Sequence, residues 1–276
     1  MSPARWASAA FVATTCWVNS AVFAEDAVGL VFPVSDVRLS VPVAGVVKSV
    51  QVRLGQAVKK GQPMLVLDDD AQQLEYKRRR VIAEDTSSLE SAKERQLAVD
   101  ELAAMTQQVA KTTRSISKEE LLKVQMDQLS ARGSAKQLAA QKVREQVEAQ
   151  IALNDLQQRT LIAPVAGTVV ALQVDAGEWA KPGDDIIRLV DSSQVELRLN
   201  VSPQGAVGLR SGAMLQASFD NGGDPLTASG RVSFVSPMAD AASGLIEVRI
   251  RFDNKRAELR PGSKAVVRQL PVQTAR

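Results

Sequence analysis

Three consecutive carboxylates, Asp68, Asp69 and Asp70, come closest in this chain to a site for a calcium ion or for acid–base work. They follow Leu65-Val66-Leu67 and precede a long polar stretch, so they stand at a strand-to-helix junction. There, carboxylates cap a helix N-terminus and favour its positive end, and that is their expected role. The chain has no histidine, which excludes a Ser-His-Asp triad, a Cys-His pair and the usual imidazole zinc sites. The one cysteine, Cys16, lies between Thr15 and Trp17, a poor setting for lipid attachment. A net charge of +3 over 276 residues is too small for a nucleic-acid footprint. No catalytic, cofactor-binding or metal-binding residue is assigned, and no enzyme activity is expected.

The elements around those residues repeat. Aligned with an offset of 122 residues, segments 42–67 and 164–189 share Pro42/Pro164, Val43/Val165, Ala44/Ala166, Gly45/Gly167, Val47/Val169, Gln51/Gln173, Val52/Val174, Gly55/Gly177, Lys59/Lys181, Gly61/Gly183 and Leu67/Leu189. The valines suit short strands, and the glycines mark the turns between them. Each copy reads as about four short strands, too few to bury a core alone. Two copies facing each other make a flattened barrel or sandwich.

This pattern resembles the two halves of a biotinyl/lipoyl domain. In such carriers the halves are contiguous and a lysine on the joining hairpin holds the cofactor. Here Asp68 to Ala71 occupy that turn and the next lysine is Lys77. Nearly a hundred residues separate the halves, which resembles the split lipoyl domain of periplasmic adaptor proteins, the membrane fusion proteins of efflux pumps and secretion systems (HlyD-like). The resemblance implies an α+β multidomain chain. A split lipoyl-like domain over 36–70 and 161–191 encloses an α-helical hairpin over 71–160; a β-barrel over 192–270 and a tail over 271–276 follow.

Residues 1–24 read as a cleaved secretory signal. Arg5 is its positive region, residues 7–18 are mostly apolar, and Val22-Phe23-Ala24 fits the cleavage rule, leaving Glu25 first. Residues 28–39 read as a lead-in strand. Residues 71–160 have helix composition, with no proline and only Gly133 as glycine. One helix is expected over 71–110 and a second over 117–158, antiparallel and about 60 Å long; a compact helical bundle is the alternative. The expected seam is Leu74, Val81, Ile82, Leu89, Leu97, Leu102, Met105 and Val109 against Leu122, Leu129, Leu138, Val143, Val147, Ile151 and Leu161, with alanines between. Ser117 with Glu120 matches a capping box.

Adaptors of the resembled family carry an Arg, Leu, Ser set at the hairpin tip for docking to an outer-membrane duct. Ser117 falls on the serine, but Thr106 and Ala110 stand at the other two positions. The tip this chain offers is Arg114, Ile116, Ser117 and Glu120. Beyond Ser192, alternation at Val195, Leu197, Leu199, Val201 and at Ile246, Val248, Ile250, Phe252 reads as strands of a small antiparallel barrel. The resemblance implies a periplasmic, inner-membrane-associated adaptor. Its partners would be an inner-membrane transporter, an outer-membrane duct and further copies of itself, six by family likeness. A lipoyl or biotinyl carrier component and a coiled-coil envelope scaffold are the alternatives.

Overall fold

The computed structural model describes residues 26–113, 116–220, 222 and 224–268; the expected signal segment, Arg114 and the 271–276 tail lie outside them. In chain order the elements begin with β1 (Ala27–Leu39), β2 (Gly45–Val50), β3 (Ala57–Val58) and β4 (Pro63–Leu67). Three long helices follow, α1 (Asp70–Glu84), α2 (Ser87–Thr113) and α3 (Lys118–Gln157). Next come β5 (Thr160–Ile162), β6 (Gly167–Leu172), β7 (Trp179–Ala180), β8 (Ile187–Val201) and the short α4 (Pro203–Ala206). The chain then runs through β9 (Met214–Asp220), β10 (Leu226–Ala239), β11 (Ile246–Asp253) and β12 (Lys264–Val267). They form two units, one from Ser35 to Asp191 and one from the segments up to Val34 and beyond Ser192.

In the first unit the two sequence copies interlock, and the strand register itself repeats. Gly45 pairs with Ala180 and Gly167 with Val58; Val47 pairs with Leu67 and Val169 with Leu189. The Gly55 N–H donates to Val169 O at 2.8 Å, and Gly177 N–H donates to Val47 O at 2.8 Å. Each copy thus closes the other's sheet, and one core joins Val47, Val52, Met64 and Leu67 to Val169, Val174, Ile187 and Leu189. The equivalence also reaches further upstream than the motif does. Leu39 O accepts from Ile186 N at 2.9 Å, while Leu161 pairs with Leu65, so the end of β1 and β5 play matching parts.

The helical insertion is an antiparallel hairpin with a different seam and one more break than the sequence suggests. Leu89 and Leu138 are half-buried on the inner face. Leu161 is buried, but in β5. Leu74, Val81, Ile82, Leu97, Leu102, Met105, Val109, Leu122, Leu129, Val143, Val147 and Ile151 are exposed. The residues buried between the arms are alanines: Ala103 on α2, and Ala131, Ala135, Ala149 and Ala152 on α3. Small side chains let the helices approach closely, so the larger apolar residues lie on other faces. Polar rungs cross the thin seam. Arg79 pairs with Glu148, and Asp100 takes Arg132 at 3.0 Å and Gln128 Nε2 at 2.7 Å.

The outgoing arm is two helices. Asp85 is extended (φ −72°, ψ 104°), and Asp85 Oδ1 accepts from Ser87 N at 3.1 Å and Ser87 Oγ at 2.7 Å. The reason lies in the heptad phase. Inner positions Gln72, Tyr76, Arg79 and Ala83 on α1, continued unbroken, would put Glu90, Lys93 and Leu97 in the seam. The break slips the phase by one residue, and Leu89, Ala92, Gln96, Val99 and Ala103 face α3 instead.

In the second unit the strand order β1-β12-β9-β10-β11-β8, with a further β1–β8 pairing, closes a six-stranded antiparallel barrel. The lead-in strand is therefore a stave of this barrel, with Ala27 opposite Val267 and Leu30 opposite Lys264. At the closure β1 passes so near β8 that a Cβ on Gly29 would lie 2.2 Å from Arg198 O. Inward alternation along β8 and β11 builds a core of Val195, Leu197, Leu199, Val248, Ile250 and Phe252, with Phe219 and Phe252 edge-to-face at 4.9 Å. Buried Asn254 is fully used: Nδ2 donates to Ser192 O and Leu259 O, and Oδ1 accepts from Leu259 N. It fastens the turn after β11 into the barrel wall.

Candidate functional site

The carboxylate triplet is the one acidic cluster among the described residues close enough to surround a cation. Its position is already filled by a lysine. Lys48 on β2 donates to Asp69 Oδ1 at 2.9 Å and Asp70 Oδ1 at 2.6 Å, and both bonds hold its ammonium well above the ordinary lysine range. Burial alone would raise the Asp69 carboxyl; hydrogen bonds from Lys48 and Gln73 outweigh it and hold the group below its ordinary value. Capping falls to Asp68, whose Oδ1 accepts from Asp70 N at 3.4 Å, and not to Asp69. Asp69 stands at the N-cap of α1 but its side chain makes no cap bond, because it is turned to Lys48 and to Gln73 Nε2. Asp70, in the first turn, keeps the favourable dipole position. The triplet therefore ties β2 to the root of the hairpin.

The six glycines singled out in the repeat divide into two kinds. Gly55, Gly61, Gly177 and Gly183 have φ between 78° and 95°, which other residues adopt only with strain. Gly45 and Gly167 are instead sites of close approach, one against Arg159 and Leu67, the other against the Val190 backbone. All six serve the interlocking of the halves. Where a carrier's lysine-bearing hairpin would join those halves, β4 runs straight into Asp68 and α1.

At the tip, Ser117 Oγ accepts from Glu120 N at 3.1 Å and caps α3; Ile116 is half-buried, Glu120 exposed. The structure brings Ile116, Ser117 and Glu120 together at one end of the hairpin, with Arg114 outside the described residues. Sequence reasoning missed two lysines, Lys48 and Lys142. Lys142 Nζ reaches across from α3 to Ile82 O at 3.0 Å, to Asp85 O and to Glu145 Oε2 at 2.6 Å. A lysine at a seam position, amid alanines, was the available signal. Among the described residues no helix is long and apolar enough to cross a membrane.

A barrel-sandwich hybrid split by a helical hairpin and followed by an antiparallel barrel is the architecture of a membrane fusion protein, or adaptor. Residues 36–191 match the model of the CzcB-like barrel-sandwich hybrid domain, and residues 194–271 match that of the CusB-like beta-barrel domain. The chain belongs to the membrane fusion protein family that these domains define. The cation efflux system protein CzcB of Alcaligenes sp. (strain CT14) is 28% identical over 79% of this chain and 39% of its own length. The macrolide export protein MacA of Escherichia coli O157:H7 is 24% identical over 79% of this chain and 59% of its own. The chain thus spans well under two thirds of these relatives. The crystal structure of MacA from Actinobacillus actinomycetemcomitans superposes with a TM-score of 0.67 at 18% identity, over 88% of this chain and 78% of that one, and shares the fold.

Proposed function

We propose that this protein is the periplasmic adaptor subunit of an efflux or secretion system. It links an inner-membrane transporter to an outer-membrane duct, and it does so without bond chemistry. The observation that carries this reading is the placement of apolar side chains on the outside of the hairpin. Each helical residue turns by about 100°. Leu102 and Met105 sit one residue before the inner positions Ala103 and Thr106; Leu122 and Leu129 sit one residue after the inner positions Leu121 and Gln128, with Met126 between them. In antiparallel helices those offsets fall on opposite flanks. Two different apolar flanks suit a head-to-tail contact, which closes into a ring when the rotation allows. Six copies follow from the family likeness. The relatives' names point to export as the process; they choose no cargo for this chain.

Cysteines at Met105 and Met126, in a Cys16→Ser background, test the reading. In cells that also make the transporter, the double variant should crosslink into a ladder above the dimer, and the transporter should copurify. Monomer alone, from well-expressed folded protein, would overturn the ring and favour an envelope scaffold.

A further inference from the structure

The interruption in the outgoing arm has the construction of a joint. Each helix beside it is finished separately. The last turn of α1 closes with Asp85 N donating to Val81 O at 3.2 Å. The first turn of α2 starts afresh: Ser87 N donates to Asp85 Oδ1, Glu90 N donates to Thr86 O at 2.9 Å, and Thr86 Oγ1 donates to Glu90 Oε1 at 2.7 Å. The carbonyls of Ile82 and Asp85 lose their helical partners at such a break. Both are taken by one ammonium, that of Lys142 on the facing, unbroken α3. Its third proton goes to Glu145, itself steadied by Gln141 Nε2 at 2.9 Å. The side chains of Lys142 and Glu145 are only 13% and 18% exposed, so the charge pair is a built part of the seam.

We infer that Asp85 and Thr86 form a clasped joint, with Lys142 as the clasp that holds α1 and α2 in their one-residue phase offset. Withdrawing the ammonium leaves two carbonyls unpaired and frees α2 to turn and tilt against α1. The two α-helical segments then move as separate rods, and the distal part of the hairpin is aimed by one lysine. This device concerns the hairpin alone and stands independently of the adaptor reading.

The test measures motion across the joint in the full chain. Nitroxide labels at Lys77→Cys on α1 and Gln107→Cys on α2, in a Cys16→Ser background, lie about 45 Å apart along the arm. Pulsed dipolar spectroscopy on the parent should give one narrow distance distribution. Lys142→Met should broaden it at least twofold, and amide exchange over residues 85–90 should quicken about tenfold, as loss of charge-assisted hydrogen bonds implies. Lys136→Met, on the exposed face of the same helix, should change neither. Unchanged width and exchange in Lys142→Met, or equal broadening by Lys136→Met, would overturn the joint. Should Lys142→Met not fold, Glu145→Gln keeps the lysine and removes its counter-charge. A distribution in Glu145→Gln identical to the parent's also overturns it.

Discussion

Gly45 and Gly167 occupy the same place in the repeat, yet an added methyl should affect them differently. Neither has a positive φ, so alanine meets no backbone strain at either site. At Gly167 the new Cβ would lie 2.7 Å from Val190 O, 3.0 Å from Val190 C and 3.2 Å from Asp191 N. All three are backbone atoms of the paired strand β8, so β6 and β8 must move apart locally. Overpacking of that kind costs about 1–3 kcal/mol. At Gly45 the nearest atom is Arg159 Nη1 at 3.0 Å, the free end of a long side chain, and Leu67 follows at an ordinary 3.6 Å. Arg159 gives up only a weak 3.4 Å bond to Ala44 O by moving. Losing glycine's freedom in the unfolded chain then returns about 0.4–1 kcal/mol. Gly167→Ala is expected to destabilise the sandwich by about 1–3 kcal/mol, and Gly45→Ala to stay within about 0.5 kcal/mol of the parent. The assay is urea unfolding followed by Trp179 fluorescence in a chain with Trp6 and Trp17 replaced by Phe. Gly45→Ala costing as much as Gly167→Ala would refute the close-approach argument.

Ala103→Leu should destabilise the hairpin by about 1–3 kcal/mol through overpacking, whereas Leu102→Ser, one residue away on an exposed flank, should leave monomer stability within about 0.5 kcal/mol; helical circular dichroism during thermal melts compares them. Because Lys48 already fills the carboxylate triplet, millimolar calcium should not raise the melting temperature, and a rise would show a cation displacing it. Hydrogen bonds from Arg78 and then Arg79 bring Glu75 down from 4.5 to about 2. The folded value lies below the unfolded one, so its small contribution is present above pH 4.5 and fades as pH falls towards 2; the thermal midpoint of helicity should fall in that window, and slightly less in Glu75→Gln. Replacing residues 75–157 with a short linker should leave a cooperatively unfolding sandwich, because both ends of the insertion meet at paired β4 and β5. Non-cooperative loss of the β signal would count against it.

The interlocked sandwich was legible because its constraints are local: glycines at the tight turns and inward valines, Val47 and Val52 in one copy and Val169 and Val174 in the other, recorded twice. The barrel was legible as strands, but the part of β1 was not, since its neighbours β12 and β8 lie far along the chain and only tertiary pairing selects them. The hairpin's seam departs from its sequence pattern for a physical reason. Size alone points to the large apolar residues as the inner face, although alanines permit the closer packing and leucines such as Leu97, 68% exposed, serve no internal contact. The break was visible in outline, since Ser87 with Glu90 repeats the capping pattern of Ser117 with Glu120. Neither proline nor glycine marks it, so composition alone reads as one continuous helix. Among the site residues, Lys48 was hidden because its partners stand 21 and 22 positions away, beyond the β2 strand that carries it.

The mutual closure of the two halves also bears on how quickly the chain reaches its native state. Gly45 must find Ala180, a contact between segments that emerge from synthesis far apart in time. Closing the unstructured loop of about 135 residues between them costs on the order of 4 kcal/mol in entropy. The hairpin lowers that barrier. Its arms zip from a nearby turn, a fast low-separation process, and in zipping they carry Leu65 to Leu161. Lesions in the alanine seam are therefore expected to slow refolding of a sandwich they never touch, which stopped-flow refolding checks.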